Sequence, residues 1–221
     1  MFKKVLSYFI PVTIFRQKSN VSKALEVTWA NGELVLDSQN TNYSYGSLQR
    51  ILRKGLKSIG FEKVRNMDQI LVLGVAGGSV IKTIVDEIDS KAHITGVEID
   101  KDVIGIAYKY FGMKNIPNLE IINDDAFEFV LKPKRRYNLV IIDIFQDSVM
   151  PAFLFEEYFA QRVAFLLERN GFIMFNTMIL KEEHNQRNVN YLSQFSNEKF
   201  RVKTIPRVER HNEVIIIEKL D

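Results

Sequence analysis

The 221-residue chain contains no cysteine. That removes a disulfide framework, a thiol nucleophile and any zinc–thiolate site, and it fits a cytoplasmic protein. Histidine is scarce: His93, His184 and His211 are scattered, and none has a second metal ligand at a useful spacing, so no metal site is expected. Neither sign of charge dominates, with 30 basic against 27 acidic residues and a net charge of +3. Such a balance gives no whole-surface attraction for nucleic acid. The local clusters Lys132-Pro-Lys-Arg-Arg136 and Arg207…Arg210-His211 are read as solvated loop ends. No apolar run approaches membrane-spanning length, so no membrane partner is expected. The stretch Met1–Pro11 imitates a signal peptide faintly, but Pro11 interrupts it and no small-x-small site follows. A short helix or strand packed on the domain is expected there. The patterns G-x-x-x-x-G-K-[ST] and G-x-S-x-G are both missing, which excludes a P-loop and a hydrolase elbow.

What remains is an ordinary globular composition, 46% hydrophobic and 26% charged, long enough for one α/β domain and a small appendage. Leu25-Glu-Val-Thr-Trp29 and Glu33-Leu-Val-Leu-Asp37 flank Ala30-Asn31-Gly32, a strong hairpin signal. Val12-Thr-Ile-Phe15 adds a candidate strand. Residues 1–45 are therefore read as an N-terminal β appendage with its connector, and 46–221 as the main domain. Ser47 is expected to cap a helix with apolar positions Leu48, Ile51, Leu52, Leu56 and Ile59, ended by Gly60.

Alternating units follow. Strands are expected at 69–73, 93–98, 119–122, 138–143 and 172–176, with helices near 79–89, 101–111, 125–132 and 151–169. Gly112 and Gly171 close the second and fourth of those helices. Repeated β-then-α steps specify a mostly parallel sheet, and Leu139-Val-Ile-Ile-Asp143 is apolar as a strand covered on both faces should be. A polar helix near 181–196 precedes Arg201–Val208 and Glu213–Glu218. The turn at His211-Asn212 is too short for a crossover helix, so these last two strands pair antiparallel. The fold class is α/β: a Rossmann-like, mostly parallel seven-stranded sheet with a C-terminal antiparallel hairpin.

The densest functional signal is Ile70-Leu-Val-Leu-Gly-Val-Ala-Gly-Gly-Ser79 read with Gly96-Val-Glu-Ile-Asp100. A strand ends in a glycine-rich turn, a helix opens, and the next strand ends on Glu98, placed to accept hydrogen bonds from ribose hydroxyls. The turn departs from G-x-G-x-x-G, because Ala76 and Ser79 hold the second and third glycine positions. A turn of this kind suits a ligand without phosphates there, such as S-adenosylmethionine. Ligands of open α/β sheets lie at the carboxyl ends of the strands. That makes Asp143 and Asp147 candidates for acceptor binding or general base, with Tyr43 and Tyr45 closing the pocket from the other side. The aromatic stretch Phe127, Phe129, Phe153, Phe155, Tyr158 and Phe159 is read mainly as core, with some of its members available to wall an acceptor site.

A parallel sheet closed by an antiparallel hairpin resembles the class I S-adenosylmethionine-dependent methyltransferases, and nearly the whole chain resembles their relatives in the spermidine synthase family. Gly32-Glu-Leu-Val-Leu-Asp37 resembles that family's N-terminal domain, and Tyr43-Ser-Tyr-Gly46 the segment entering its substrate pocket. Gly74–Ser79, Glu98-Ile-Asp100, Asp124-Asp-Ala-Phe-Glu-Phe129 and Tyr137–Asp143 resemble its cofactor loop, ribose strand end, adenine-side segment and catalytic strand. The resemblance implies a cofactor set of Gly74, Ala76, Gly77, Gly78, Glu98, Ile99, Asp125, Ala126 and Asp143, and a catalytic set of Asp143, Asp147 and Tyr45. It also implies a possible homodimer built on the appendage. Three departures bear on the reaction. The family's acidic loop position is Gly77, and its D-x-x-D-P signature reads Asp143-Ile-Phe-Gln146-Asp147. The connector from Asp37 to Tyr43 is also short. These favour S-adenosylmethionine as donor, hence methyl transfer to a small acceptor. Aminopropyl transfer from decarboxylated S-adenosylmethionine to a polyamine, or cofactor binding without catalysis, stand as alternatives.

Overall fold

The computed structural model describes residues 2–22, 24–38, 42–132, 135–146, 149–195 and 198–220, the side chains of Asn42 and Tyr43 excepted. The N-terminal part holds a short helix α1 (Phe2–Leu6) and strands β1 (Val12–Gln17), β2 (Leu25–Ala30), β3 (Glu33–Ser38) and β4 (Asn42–Ser44), paired in that order in an antiparallel sheet. Asn31 and Gly32 both take positive φ, 50° and 80°, as the two-residue turn between right-twisted strands requires. The segment after α1 docks on this turn. The Asn31 and Gly32 amides donate to the carbonyl and hydroxyl oxygens of Ser7.

The main sheet follows two helices, α2 (Gly46–Ile59) and α3 (Phe61–Arg65). Its strands are β5 (Gln69–Leu73), β6 (His93–Glu98), β7 (Leu119–Asn123), β8 (Tyr137–Ile142), β9 (Leu167–Met178), β10 (Phe200–Val208) and β11 (Asn212–Lys219). They lie in the order β10-β11-β9-β8-β5-β6-β7. The pairs β5–β6, β5–β8, β6–β7 and β8–β9 are parallel, while β11 runs antiparallel to both β9 and β10. The expected seven-stranded sheet and terminal hairpin are thus both present. The connecting helices are α4 (Ser79–Lys82), α5 (Lys101–Tyr110), α6 (Ala126–Leu131), α7 (Glu157–Phe165) and α8 (Glu182–Ser193).

Each face of the sheet has its own core. Ile51, Leu56 and Ile81 pack with Ile70 and Val72 on one side. Val130, Phe159, Val163 and Tyr191 pack with Leu71, Leu73 and Ile142 on the other. This alternation along β5 is why an all-apolar strand is required there. A third cluster fastens the small sheet to the large one: Leu25, Val27 and Leu36 meet Val103, Ile106 and Phe111 of and beside α5. It places the N-terminal sheet over the carboxyl end of β6.

Several local expectations need correction. Helix α2 begins at Gly46 with Tyr45 as N-cap and no side-chain cap bond, so Ser47 does not cap it. The helix expected at 79–89 widens after Lys82 into a π-helical turn, Thr83–Glu87, in which the Ile88 amide donates to the Thr83 carbonyl. The long helix expected at 151–169 is a 3-10 turn, Ala152–Phe155, followed by α7. Glu156 between them is extended, and Phe153 stands edge-on to both Phe127 and Phe159. Gly171 lies inside β9, not at a helix end. The register with β8 jumps from Tyr137↔Leu167 to Leu139↔Phe172, so residues 168–171 form a bulge. A Cβ on Gly171 would lie 2.9–3.2 Å from three carbonyl groups.

Candidate functional site

The turn after β5 and the end of β6 are built around one carboxylate. Gly74 (φ 89°), Ala76 (φ 48°) and Gly78 (φ 78°) take left-handed conformations. They turn the amides of Val75 and Ala76 toward Glu98, which accepts both on Oε2 at 3.1 and 3.0 Å. Its other oxygen accepts the Asp100 amide at 3.0 Å. Burial pushes the Glu98 pKa up, and the three backbone donors oppose that shift. Glycine is demanded at position 74, because a Cβ there would stand 2.2 Å from the Asp143 carbonyl oxygen. That close approach joins the loop after β5 to the loop after β8.

Asp143 follows β8, and its amide donates to the Leu73 carbonyl at 2.9 Å. Its Oδ1 accepts from Asn176 Nδ2 at 2.9 Å. Its pKa is raised to about 6. Desolvation is the main cause and nearby Glu98 adds to it, while the Asn176 bond works the other way.

These groups line an open cleft of about 800 Å³ at the carboxyl edge of the parallel strands. Its charged lining is acidic throughout: Glu98, Asp100, Asp124, Asp125 and Asp143, with no lysine, arginine or histidine among the described residues. Lys132 reaches Asp124 from outside the cleft at 2.8 Å. Asp100 and Asp125 also cap helices, accepting the amides of Asp102 and Phe127. Val103, Ile144, Phe145, Pro151 and Phe153 supply apolar walls.

Of the residues singled out in the sequence, Gly74, Ala76, Glu98, Ile99, Asp125, Ala126 and Asp143 come together in this cleft. Gly77 and Gly78 do not line it. A Cβ on Gly77 would meet Ser44 at 2.8 Å and one on Gly78 would meet the Met113 sulfur at 2.1 Å, so both serve close packing behind the loop. Tyr45 is also turned elsewhere. It stacks on Phe111 with ring centroids 5.0 Å apart, and burial raises its pKa. Asp147 and the Tyr43 side chain lie outside the described residues.

Sequence reasoning passed over Asn176, and also the approach of the 18–22 segment. Ser19 donates to Asp100 at 2.5 Å, while Val21 and Ser22 form part of the rim. An isolated asparagine in an apolar strand was a visible signal for the first, but nothing in the sequence announces the second.

A glycine turn after the first parallel strand, an acidic end on the second and a cleft at the carboxyl edge define a Rossmann-like fold. It is shared by spermidine synthases and class I methyltransferases. A spermidine synthase bound to a transition-state analogue has a TM-score of 0.70 at 17% identity over 94% of this chain and 72% of that one. Human methyltransferase-like protein 13, bound to SAH, has 0.66 at 19% over 80% and 83%. At such identities both show the fold alone. The spermine/spermidine synthase domain model matches residues 50–219, and the chain belongs to that family.

Among curated relatives, the polyamine aminopropyltransferase of Vibrio vulnificus is 28% identical over 131 residues, 58% of this chain and 44% of that one. Its counterpart in Leptospira biflexa is 32% identical over 114 residues, 49% and 40%. The matched stretch thus spans under half the length of these relatives. Their names overturn the expectation of methyl transfer. Gly77 and Gln146 do not leave the cleft without acids, because three strand ends contribute acidic groups to it.

Proposed function

We propose that the chain is a transferase that moves an aminopropyl group from decarboxylated S-adenosylmethionine to a small amine of the polyamine class. The observation that carries this reading is the all-acidic charged lining of the cleft. S-adenosylmethionine brings a carboxylate next to its ammonium, and the decarboxylated form does not. A cleft whose described residues bring five carboxylates and no lining cation favours the donor that is purely cationic along this arm, and a cationic acceptor beside it. The named relatives support the same choice.

In this reading Glu98 accepts the ribose hydroxyls, and Asp125 and Ala126 flank the base. The acceptor nitrogen attacks the aminopropyl carbon bonded to sulfur. The C–S bond breaks, the electron pair stays on the sulfur, and methylthioadenosine leaves. The nitrogen sheds a proton to Asp143, whose pKa of about 6 leaves it ionised and able to accept at neutral pH. The rest of the rate comes from holding the two reactants in line.

The test is to incubate the purified protein with decarboxylated S-adenosylmethionine and putrescine. Methylthioadenosine and a new triamine, released in equal amounts, are the expected outcome. Methyl transfer from S-adenosylmethionine with no aminopropyl product would reject the proposal.

A further inference from the structure

Among the described residues, the Asp143 carboxylate receives one side-chain hydrogen bond, from Asn176, and Asn176 is itself held. It lies in β9 with no exposed surface, directly after the apolar run Phe172-Ile-Met-Phe175. Its Oδ1 accepts from Asn212 Nδ2 at 3.0 Å. Asn212 opens β11 and is 8% exposed. Opposite Asn176 in the ladder is Val214, so the two amides meet diagonally across the pair. A carboxylate only accepts, and the Asn212 amide group offers its N–H toward Asn176. One orientation of the Asn176 amide therefore satisfies both neighbours. A valine would fill this place in a sheet core without the cost of burying an amide.

We propose that Asn176, locked by Asn212, is a positioning residue. It engages Oδ1 of Asp143 and so leaves Oδ2 to take the proton of the attacking amine. This rests on the aminopropyl-transfer reading of the cleft.

The surroundings of Asp143 make the contact consequential. Glu98 faces it from the end of β6, and Asp100, Asp124 and Asp125 line the same cleft. Glu213, next along β11, is engaged by Asn188 at 3.0 Å. The Glu98 charge therefore disfavours ionisation of Asp143, and among the described side chains the Asn176 amide favours it.

The test uses Asn176→Val and Asn212→Ala, with two readouts: the pH profile of kcat/KM, and the titration of the Asp143 carboxyl followed by carbon NMR. In Asn176→Val the acidic limb and the carboxyl titration both move up by about one pH unit. Also in that variant kcat falls about 10–100-fold, with donor KM changed less than about threefold. Asn212→Ala moves each in the same direction by less. A folded Asn176→Val with an unmoved carboxyl titration overturns the proposal. If that variant does not fold, an unmoved titration in Asn212→Ala overturns it. Absence of aminopropyl transfer in the wild type would instead reject the functional reading, while the carboxyl titration still decides whether Asn176 governs Asp143.

Discussion

Glu98 and Asp143 sit at the ends of β6 and β8, the two strands that flank β5, and they face one another in the same cleft. Their supports differ. Glu98 is held by three backbone amides, two from the glycine turn and one from its own strand end. Among the described residues, Asp143 is held by one side-chain amide. A carboxylate gripped by main chain is a product of the loop's conformation, and few single substitutions elsewhere can change its setting. A carboxylate gripped by a side chain can be retuned by one substitution. In the proposed reading the first arrangement serves constant recognition of a ribose and the second serves proton transfer, where orientation and pKa must be matched to an acceptor.

The contrast can be broken from either side. The largest effect is expected for Asp143→Asn, which keeps the shape and removes the base. A fall in kcat of about 10²–10⁴-fold with donor affinity nearly intact, read by steady-state kinetics, would place proton transfer on Asp143. Glu98→Ala should act on binding instead. Loss of the carboxylate weakens donor affinity by about 2–3 kcal/mol and strands two loop amides, a change that calorimetric titration reads directly. Gly74→Ala attacks the contact between the two loops. With a Cβ 2.2 Å from the Asp143 carbonyl and φ at 89°, it should cost about 2–3 kcal/mol of stability in denaturant unfolding and lower activity with it.

A pH experiment sharpens the comparison further. Activity should rise with pH through about 6 as Asp143 ionises. Stability runs the other way. The native pKa is raised, so the fold favours the protonated form, and the contribution is full below pH 4 and lost as pH rises through 6. The loss is about 1–2 kcal/mol for a group partly open to the cleft, and thermal melts of Asp143→Asn should lack it. The smallest effect belongs to Ser19→Ala, which frees the rim segment from Asp100 and should change donor affinity by about 1 kcal/mol or less.

The frame of the molecule was legible because its signals are local. Asn31-Gly32 marks a hairpin, and apolar runs of strand length bounded by glycine mark the parallel strands. The turn after Val208 is too short for anything but an antiparallel return. Glu98 was legible for the same reason, since strand, turn and strand place it without any long-range contact. The errors came where packing overrode local pattern. Gly171 reads as a helix stop but serves a bulge in β9 between Leu167 and Phe172. Gly77 and Gly78 read as ligand-facing but are small because Ser44 and Met113 press on the loop from behind. Gly77 and Gln146 also biased the reading of the reaction. Absence of an acid at two positions says little when the cleft collects acids from strands far apart in the chain. Asn176 was hidden because its value depends on Asp143 and Asn212, neither of which is near it in sequence.

The sheet order has a consequence for how the protein is made. The first of its strands to be synthesised, β5, pairs with β8, which comes some way later, and β9 joins β8 later still. The Asp143 carboxylate takes its side-chain partner from Asn176, and Asn176 takes its own from Asn212, both made well after Gly74 and Glu98. Non-local parallel pairings of this kind form slowly. The cleft, lined by residues from Val21 to Phe153, is therefore assembled only when segments far apart in the chain have come together.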